Sequence, residues 1–258
     1  MAEAINKWTV CGKPNPDASL RLFCFPFAGG GASIFRGWAA LLPASIEVYA
    51  VQLPGRETRM REPRFTSVKE LVPELMSALL PALDMPFVFF GHSMGALISF
   101  ELARALRRAG NANLQHLFVS ARSAPQIVGS EETLHHLPTP ELIDKLRQLG
   151  GTPDAILQNP ELQEMILPIL RSDLALNERY VYTPEPPLDV PISAFGGTQD
   201  PRVRQEDVAQ WSAQTGKTFS LRMVAGDHFF LNANPSAILQ PMQQDLRTLL
   251  LSGQGAAV

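Results

Sequence analysis

The chain contains only two cysteines, Cys11 and Cys24, in 258 residues. Two thiols make neither a disulfide framework nor a four-ligand zinc site, and no His/Cys cluster stands at metal-ligand spacing, so a reducing compartment and a site without metal are expected. Long apolar runs are missing too. None reaches the roughly 18 residues of a membrane span, and the opening MAEAINKWTVCGKPNPD has no signal-peptide stretch. A soluble, cytoplasmic protein is expected. Positive charge is not in excess either: 22 Lys+Arg against 25 Asp+Glu give a formal charge of -3, which leaves no basic field to gather nucleic acid or an anionic membrane. What is present, 45% hydrophobic and 18% charged residues with 18 Gly and 22 Pro, suits a sizeable core, expected as a single domain over 1–258.

From Leu20 onward, short apolar runs alternate with longer segments of helical period, which predicts an α/β fold with helices flanking a mainly parallel sheet. Strands are expected at 20–27, 47–53, 87–91, 117–120, 192–196 and 218–224. Most are apolar throughout, as strands covered on both faces are. The clearest helix runs from Met94 to Ala109, with Met94, Leu97, Ile98, Leu102, Ala105 and Leu106 opposite Glu101, Arg104 and Arg108, and stops at Gly110. Ser67 and Glu70 predict a capping box before Leu71, Leu75 and Leu79, with Pro73 kinking this helix or delaying its start. A last helix opens at Asn234-Pro235 and carries Ile238, Leu239, Met242, Leu246 and Leu249 on one side; the tail SGQGAAV is expected to fray.

Between 124 and 188 the alternation breaks. No strand pattern occurs there, and two helices begin with a cap residue followed by proline, at Thr139-Pro140 and Asn159-Pro160. The first ends at Gly150-Gly151, and the second carries Leu162, Met165, Ile166, Ile169, Leu170 and Leu174 on one side. This predicts a helical lid over the sheet edge where the strands end, the alternative being part of the core wrapping.

The strand FVFFG runs directly into His92-Ser93-Met94-Gly95 and then into the amphipathic helix, the context of a nucleophile elbow. The bare G-x-S-x-G pattern is only moderately specific; strand before and helix after make it sharper. A serine hydroxyl is a weak nucleophile at neutral pH and needs a base, itself oriented by a carboxylate. His228, in the loop after the last strand, reaches the same sheet edge, whereas His92 lies inside the elbow, His116 begins a strand, and His135 and His136 fall in the insertion. Asp200 follows the strand ISAFG at that edge and is the expected acid. Asp227 is its rival, but as the immediate neighbour of His228 it is poorly placed to reach Nδ1. The backbone N–H of Met94 supplies one oxyanion donor. The second is expected from Ala28 in the glycine-rich turn FPFAGGG, which lacks the spacing of a nucleotide-phosphate loop.

FPFAGGG at 25–31, QLPGRE at 52–57, GHSMG at 91–95, SARSAP at 120–125, GGTQD at 196–200 and GDHFFL at 226–231 resemble the stand-alone type II thioesterases of polyketide and nonribosomal peptide synthesis, within the α/β-hydrolase superfamily. The resemblance covers nearly the whole chain. SARSAP departs from the commoner glycine-containing form. The resemblance implies Ser93, Asp200 and His228 as nucleophile, acid and base, and Met94 and Ala28 as oxyanion donors. It further implies acyl or peptidyl carrier domains as partners, a phosphopantetheine arm brought by the substrate and no cofactor of the enzyme's own. A monomer is expected because nothing in the sequence demands an oligomer.

Two features keep two readings each. Arg56, Arg59, Arg61 and Arg64 either meet the pantetheine phosphate or an acidic carrier face, or form a solvated loop ion-paired with Glu57 and Glu62. Leu142, Leu146, Met165, Ile169 and Leu170 either line an acyl channel or form core. Phe27 and Phe229 join Arg56 and Arg59 as candidate substrate or carrier contacts. A general carboxylesterase, an acyltransferase and a non-catalytic carrier-binding protein remain rival functions, since one triad serves several chemistries.

Overall fold

In the computed structural model, which describes residues 6–127 and 133–253, every expected strand forms, and one strand precedes them. This is β1 (Thr9–Cys11), too short to show an apolar pattern and paired antiparallel along β3 (Ile46–Val51). The others, β2 (Leu20–Phe25), β4 (Phe87–His92), β5 (Leu114–Ser120), β6 (Ile192–Gly197) and β7 (Phe219–Val224), complete a seven-stranded sheet in the order β1-β3-β2-β4-β5-β6-β7. All pairings but the first are parallel.

The central strands are apolar on both faces because both faces are covered. Registers such as Leu22 beside Val88 and Phe23 beside Phe89 send alternate residues to opposite sides. Phe23, Phe25, Phe87 and Phe89 pack with α2 (Val68–Leu79) and α3 (Met94–Arg108), while Leu22, Cys24, Val88 and Phe90 pack with Trp38 of α1 (Trp38–Leu41) and with the C-terminal helix. Each such Leu, Val or Phe removed from water contributes roughly 1.5–3 kcal/mol.

Helix α3 follows its expected span closely, although Arg104 is buried rather than solvent-facing and donates to Glu101 and to the Thr183 carbonyl. The capping box before α2 does not form: Ser67 stands at the N-cap, but its side chain makes no cap hydrogen bond. Pro73 lies inside α2 without delaying its start at Val68.

Among the described residues, three helices occupy the segment between β5 and β6: α4 (Thr139–Leu149), α5 (Asp154–Leu157) and α6 (Pro160–Glu178). Residues 128–132 of the expected insertion lie outside the described residues. Asn159 caps α6 as its sequence predicts, accepting from the Glu161 and Leu162 amides at 2.9 and 3.2 Å. Thr139 is instead the first residue of α4, with Pro138 at the cap. Leu142, Leu146, Leu157, Leu167, Leu170 and Leu174 close a small core of their own. The start of α6 faces outward, leaving Leu162 39% and Met165 54% exposed. The short helices α7 (Gln205–Ala209) and α8 (Phe230–Ala233) lead to α9 (Ser236–Gly253), which begins just after Asn234-Pro235 and buries Ile238, Leu239, Met242 and Leu246. Of the tail expected to fray, residues 254–258 lie outside the described residues.

Candidate active site

Strand β4 delivers Ser93 onto a turn that an L-residue rarely adopts, with φ 53° and ψ −112°. The turn is this tight because nothing larger than hydrogen fits beside it. A Cβ on Gly91 would fall 2.2 Å from the Gly95 carbonyl oxygen, and one on Gly95 would fall 2.0 Å from that of Phe25. Backbone therefore touches backbone on both sides of the serine, and strain is held in place by close packing.

Two loops at the same sheet edge bring in the partners. From the loop after β7, His228 places Nε2 3.0 Å from Ser93 Oγ; its Nδ1 lies 2.7 Å from Oδ2 of Asp200, which follows β6. An ionised carboxylate only accepts, so Nδ1–H donates to Asp200 and Nε2 is left to accept from the serine hydroxyl. The second oxygen of Asp200 accepts from the Arg202 amide at 2.9 Å. Burial opposes ionisation of Asp200, but hydrogen bonding to His228, the histidine's charge and the Arg202 amide together hold its pKa below the ordinary value. Burial pushes the His228 pKa below its ordinary value against the pull of Asp200, which keeps the ring neutral at neutral pH. Asp227 is engaged elsewhere: its Oδ1 accepts from the Phe229 amide at 2.8 Å.

Beside this chain lie the two backbone amides expected from the sequence, those of Met94 and Ala28. Met94 is the first residue of α3, so its N–H has no carbonyl of its own helix to meet. The loop leaving β2 crosses that first turn at Gly95, where Phe25 and Pro26 make the backbone contact. Beyond it, the Phe27 carbonyl accepts from the Gly30 amide at 2.9 Å. With no cis peptide bond in the described chain, the Ala28 N–H points the opposite way, out of that turn. Phe27 and Phe229 meet edge to face at 5.1 Å beside His228, and Phe229 lies against the Gly151 turn of the helical segment.

A model of the family described as thioesterase domain matches residues 20–246. The chain belongs to the thioesterase domain family. It is 45% identical to the gramicidin S biosynthesis protein GrsT of Aneurinibacillus migulanus, over 95% of this chain and 96% of that protein. Two solved structures are similar throughout. The type II thioesterase BorB from the borrelidin biosynthetic cluster superposes with a TM-score of 0.85 at 39% identity, covering 93% of this chain and 98% of that one. YbtT, a type II thioesterase from the yersiniabactin NRPS/PKS pathway, gives 0.82 at 30% identity, covering 93% and 97%. The protein is thus a thioesterase of the α/β-hydrolase fold, a hydrolase acting on thioesters.

The geometry corrects the expectation for two arginines of this thioesterase. Arg56 and Arg59 are each only 4% exposed and turn inward. Arg56 makes a two-bond ion pair with Asp173 of α6, at 2.6 and 2.7 Å. Arg59 pairs with Glu62, donates to the Gln52 carbonyl and stacks 4.0 Å over Trp8. Their donors are consumed inside the protein, whereas Arg61 and Arg64 stay exposed. The acyl-channel reading changes as well, since Leu142 and Leu146 belong to the core of the helical segment and Met165 faces solvent.

Two residues that the sequence did not single out border the site. His92, buried under the elbow, contacts His228 O through Nε2 and Ser120 Oγ through Nδ1, both at 2.9 Å. Asp173 is 1% exposed and shares a face of α6 with the buried Ile169, Leu170 and Leu176, and a carboxylate on such a stripe is the signal that marks it for a partner. Among the described residues no group of three or more His, Cys, Asp or Glu is arranged to hold a metal, and no helix is long and apolar enough to cross a membrane.

Proposed function

We propose that this thioesterase hydrolyses acyl thioesters on the phosphopantetheine arm of acyl or peptidyl carrier domains of a polyketide or nonribosomal peptide synthase. The observation that carries the reading is the continuous chain Ser93, His228, Asp200, at 3.0 and 2.7 Å, with the serine raised on a strained turn. GrsT, BorB and YbtT support the choice of substrate.

In this mechanism Ser93 Oγ attacks the thioester carbonyl while His228 Nε2 takes its proton, and Asp200 steadies the imidazolium. The N–H groups of Met94 and Ala28 hold the oxyanion. Collapse breaks the C–S bond, His228 returns the proton to sulfur, and an acyl-Ser93 ester remains. Water, deprotonated by His228, then attacks that ester; the bond from the acyl carbon to Ser93 Oγ breaks, His228 returns the proton to Oγ, and the free acid leaves. A thiol leaves more readily than an alcohol or amine, so little is asked of His228 as an acid and much of the oxyanion hole. The cycle calls on no cofactor of the enzyme's own; the pantetheine arm arrives with the substrate. The reading takes the enzyme as a cytoplasmic monomer.

One acyl group offered as carrier-bound thioester, simple pantetheine thioester and oxyester tests the reading. The carrier-bound thioester is expected to turn over fastest. Preference for the oxyester would favour a carboxylesterase, and a new ester or amide in place of free acid would favour an acyltransferase.

A further inference from the structure

We infer that Arg56 and Asp173 are a positioning pair, through which helix α6 fixes the orientation of the Ala28 N–H. The inference rests on the proposed acyl-serine mechanism, in which that N–H holds the oxyanion. Arg56 lies in the loop after β3 and Asp173 in α6, 117 residues further on. Their side chains are only 5% and 2% exposed. Stability is a weak reason to bury two charges, because the cost of removing them from water offsets most of their attraction.

The remaining hydrogen bonds of the pair point to what it holds. Asp173 Oδ2, besides accepting from Arg56 Nη1, accepts from the Gly29 amide at 2.7 Å. Arg56 Nη1 also donates to the Gly30 carbonyl at 3.1 Å. Those groups belong to the two residues immediately after Ala28. Gly29 sits at φ 82°, and Leu170, one turn before Asp173 on α6, lies so near that a Cβ on Gly29 would fall 2.7 Å from its Cδ2. The bond from the Gly30 amide to the Phe27 carbonyl then sets the peptide plane that carries the Ala28 N–H. Gln52 closes the frame, accepting from the Ala32 amide at 3.0 Å and donating to the Arg56 carbonyl at 3.1 Å. Charge and shape on α6 thus act together on one loop, and the donor is aimed only while α6 is seated on it.

The test compares Asp173→Asn, Arg56→Lys and the double variant Arg56→Met/Asp173→Leu with the wild type. The double variant leaves neither charge unpaired; Asp173→Asn keeps the shape and carries the comparison if the double variant does not fold. Three quantities are read on each: kcat and KM for an acyl-pantetheine thioester, affinity for an alkyl boronic acid whose serine adduct is tetrahedral, and affinity for a non-hydrolysable thioether analogue. A misdirected donor is expected to lower kcat about tenfold to hundredfold. Boronate affinity is expected to fall in parallel, while KM and thioether affinity hold within about twofold. Wild-type kcat and boronate affinity in folded variants would overturn the inference, as would equal losses for boronate and thioether. Ser93→Ala separates the two levels: hydrolysis that survives it overturns the acyl-serine mechanism itself, whereas hydrolysis lost in Ser93→Ala but intact in the pair variants overturns this inference alone.

Discussion

His92 Nε2 stands 2.9 Å from the carbonyl oxygen of His228, so the residue before Ser93 holds the backbone of the histidine whose ring meets that serine. A carbonyl only accepts, which fixes the proton on Nε2 and leaves Nδ1 to accept from the Ser120 hydroxyl. Burial, with His228 close by, holds the His92 pKa down to about 3, so the ring is neutral at neutral pH. His92→Ala would leave the His228 carbonyl without its donor, at a cost of about 1–3 kcal/mol. Thermal melting is expected to show the loss of stability, and steady-state kinetics a lower kcat with KM little changed. An unchanged kcat would mean that the His228 loop holds its position unaided.

The pH profile follows from the direction of the His228 shift. Burial lowers its pKa, and only the neutral ring accepts the serine proton, so kcat/KM is expected to fall as pH drops through a value below the ordinary 6.5 or so. Asp200 partly offsets that burial. Asp200→Asn is therefore expected to move the acid limb lower still while reducing kcat about 10³- to 10⁴-fold. An acid limb above the ordinary histidine value in the wild type would contradict the assignment.

Asp227 tests which carboxylate serves. Its oxygen caps the Phe229 amide, and an asparagine keeps that acceptor. Asp227→Asn is expected to change kcat/KM by less than about tenfold, far less than Asp200→Asn. The reverse order would transfer the acid's role to Asp227.

The elbow glycines are expected to tolerate no side chain. With a Cβ 2.0 Å from the Phe25 carbonyl oxygen, Gly95→Ala forces backbone to move. A loss above about 3 kcal/mol in chemical denaturation is expected, or no folded protein at all. Gly12→Ala is the control: nothing lies within 4 Å of the added carbon, and a change within about 0.5 kcal/mol is expected.

Apolar period made the strands and helices legible because burial on a known face repeats along the chain; β1 escaped because three residues are too few for a period. Ser93, His228 and Asp200 were legible as a set because each follows a strand, and parallel strands bring their carboxyl ends to one edge. Both sequence readings of Arg56 face it outward, because four arginines crowded into one loop with Glu57 and Glu62 have the pattern of an exposed segment. The partner that draws it inward stands 117 residues away on another element, and no local pattern links the two. His92 escapes local pattern for the same reason. Its position in the elbow was plain, but the two groups it bonds, at Ser120 and His228, come together only when the sheet closes. Ser67 and Glu70 show the converse, a local pattern whose side-chain cap the fold does not use.

The central claim is tested most directly by incubating wild type and Ser93→Ala with an acyl-phosphopantetheinyl carrier protein, and with the same acyl group as a simple thioester. Mass spectrometry follows both free acid and acyl-enzyme. Serine-dependent release, faster from the carrier and passing through an adduct on Ser93, is the expected result. Release that persists in Ser93→Ala, or no release by the wild type from either substrate across several acyl groups, would contradict the account.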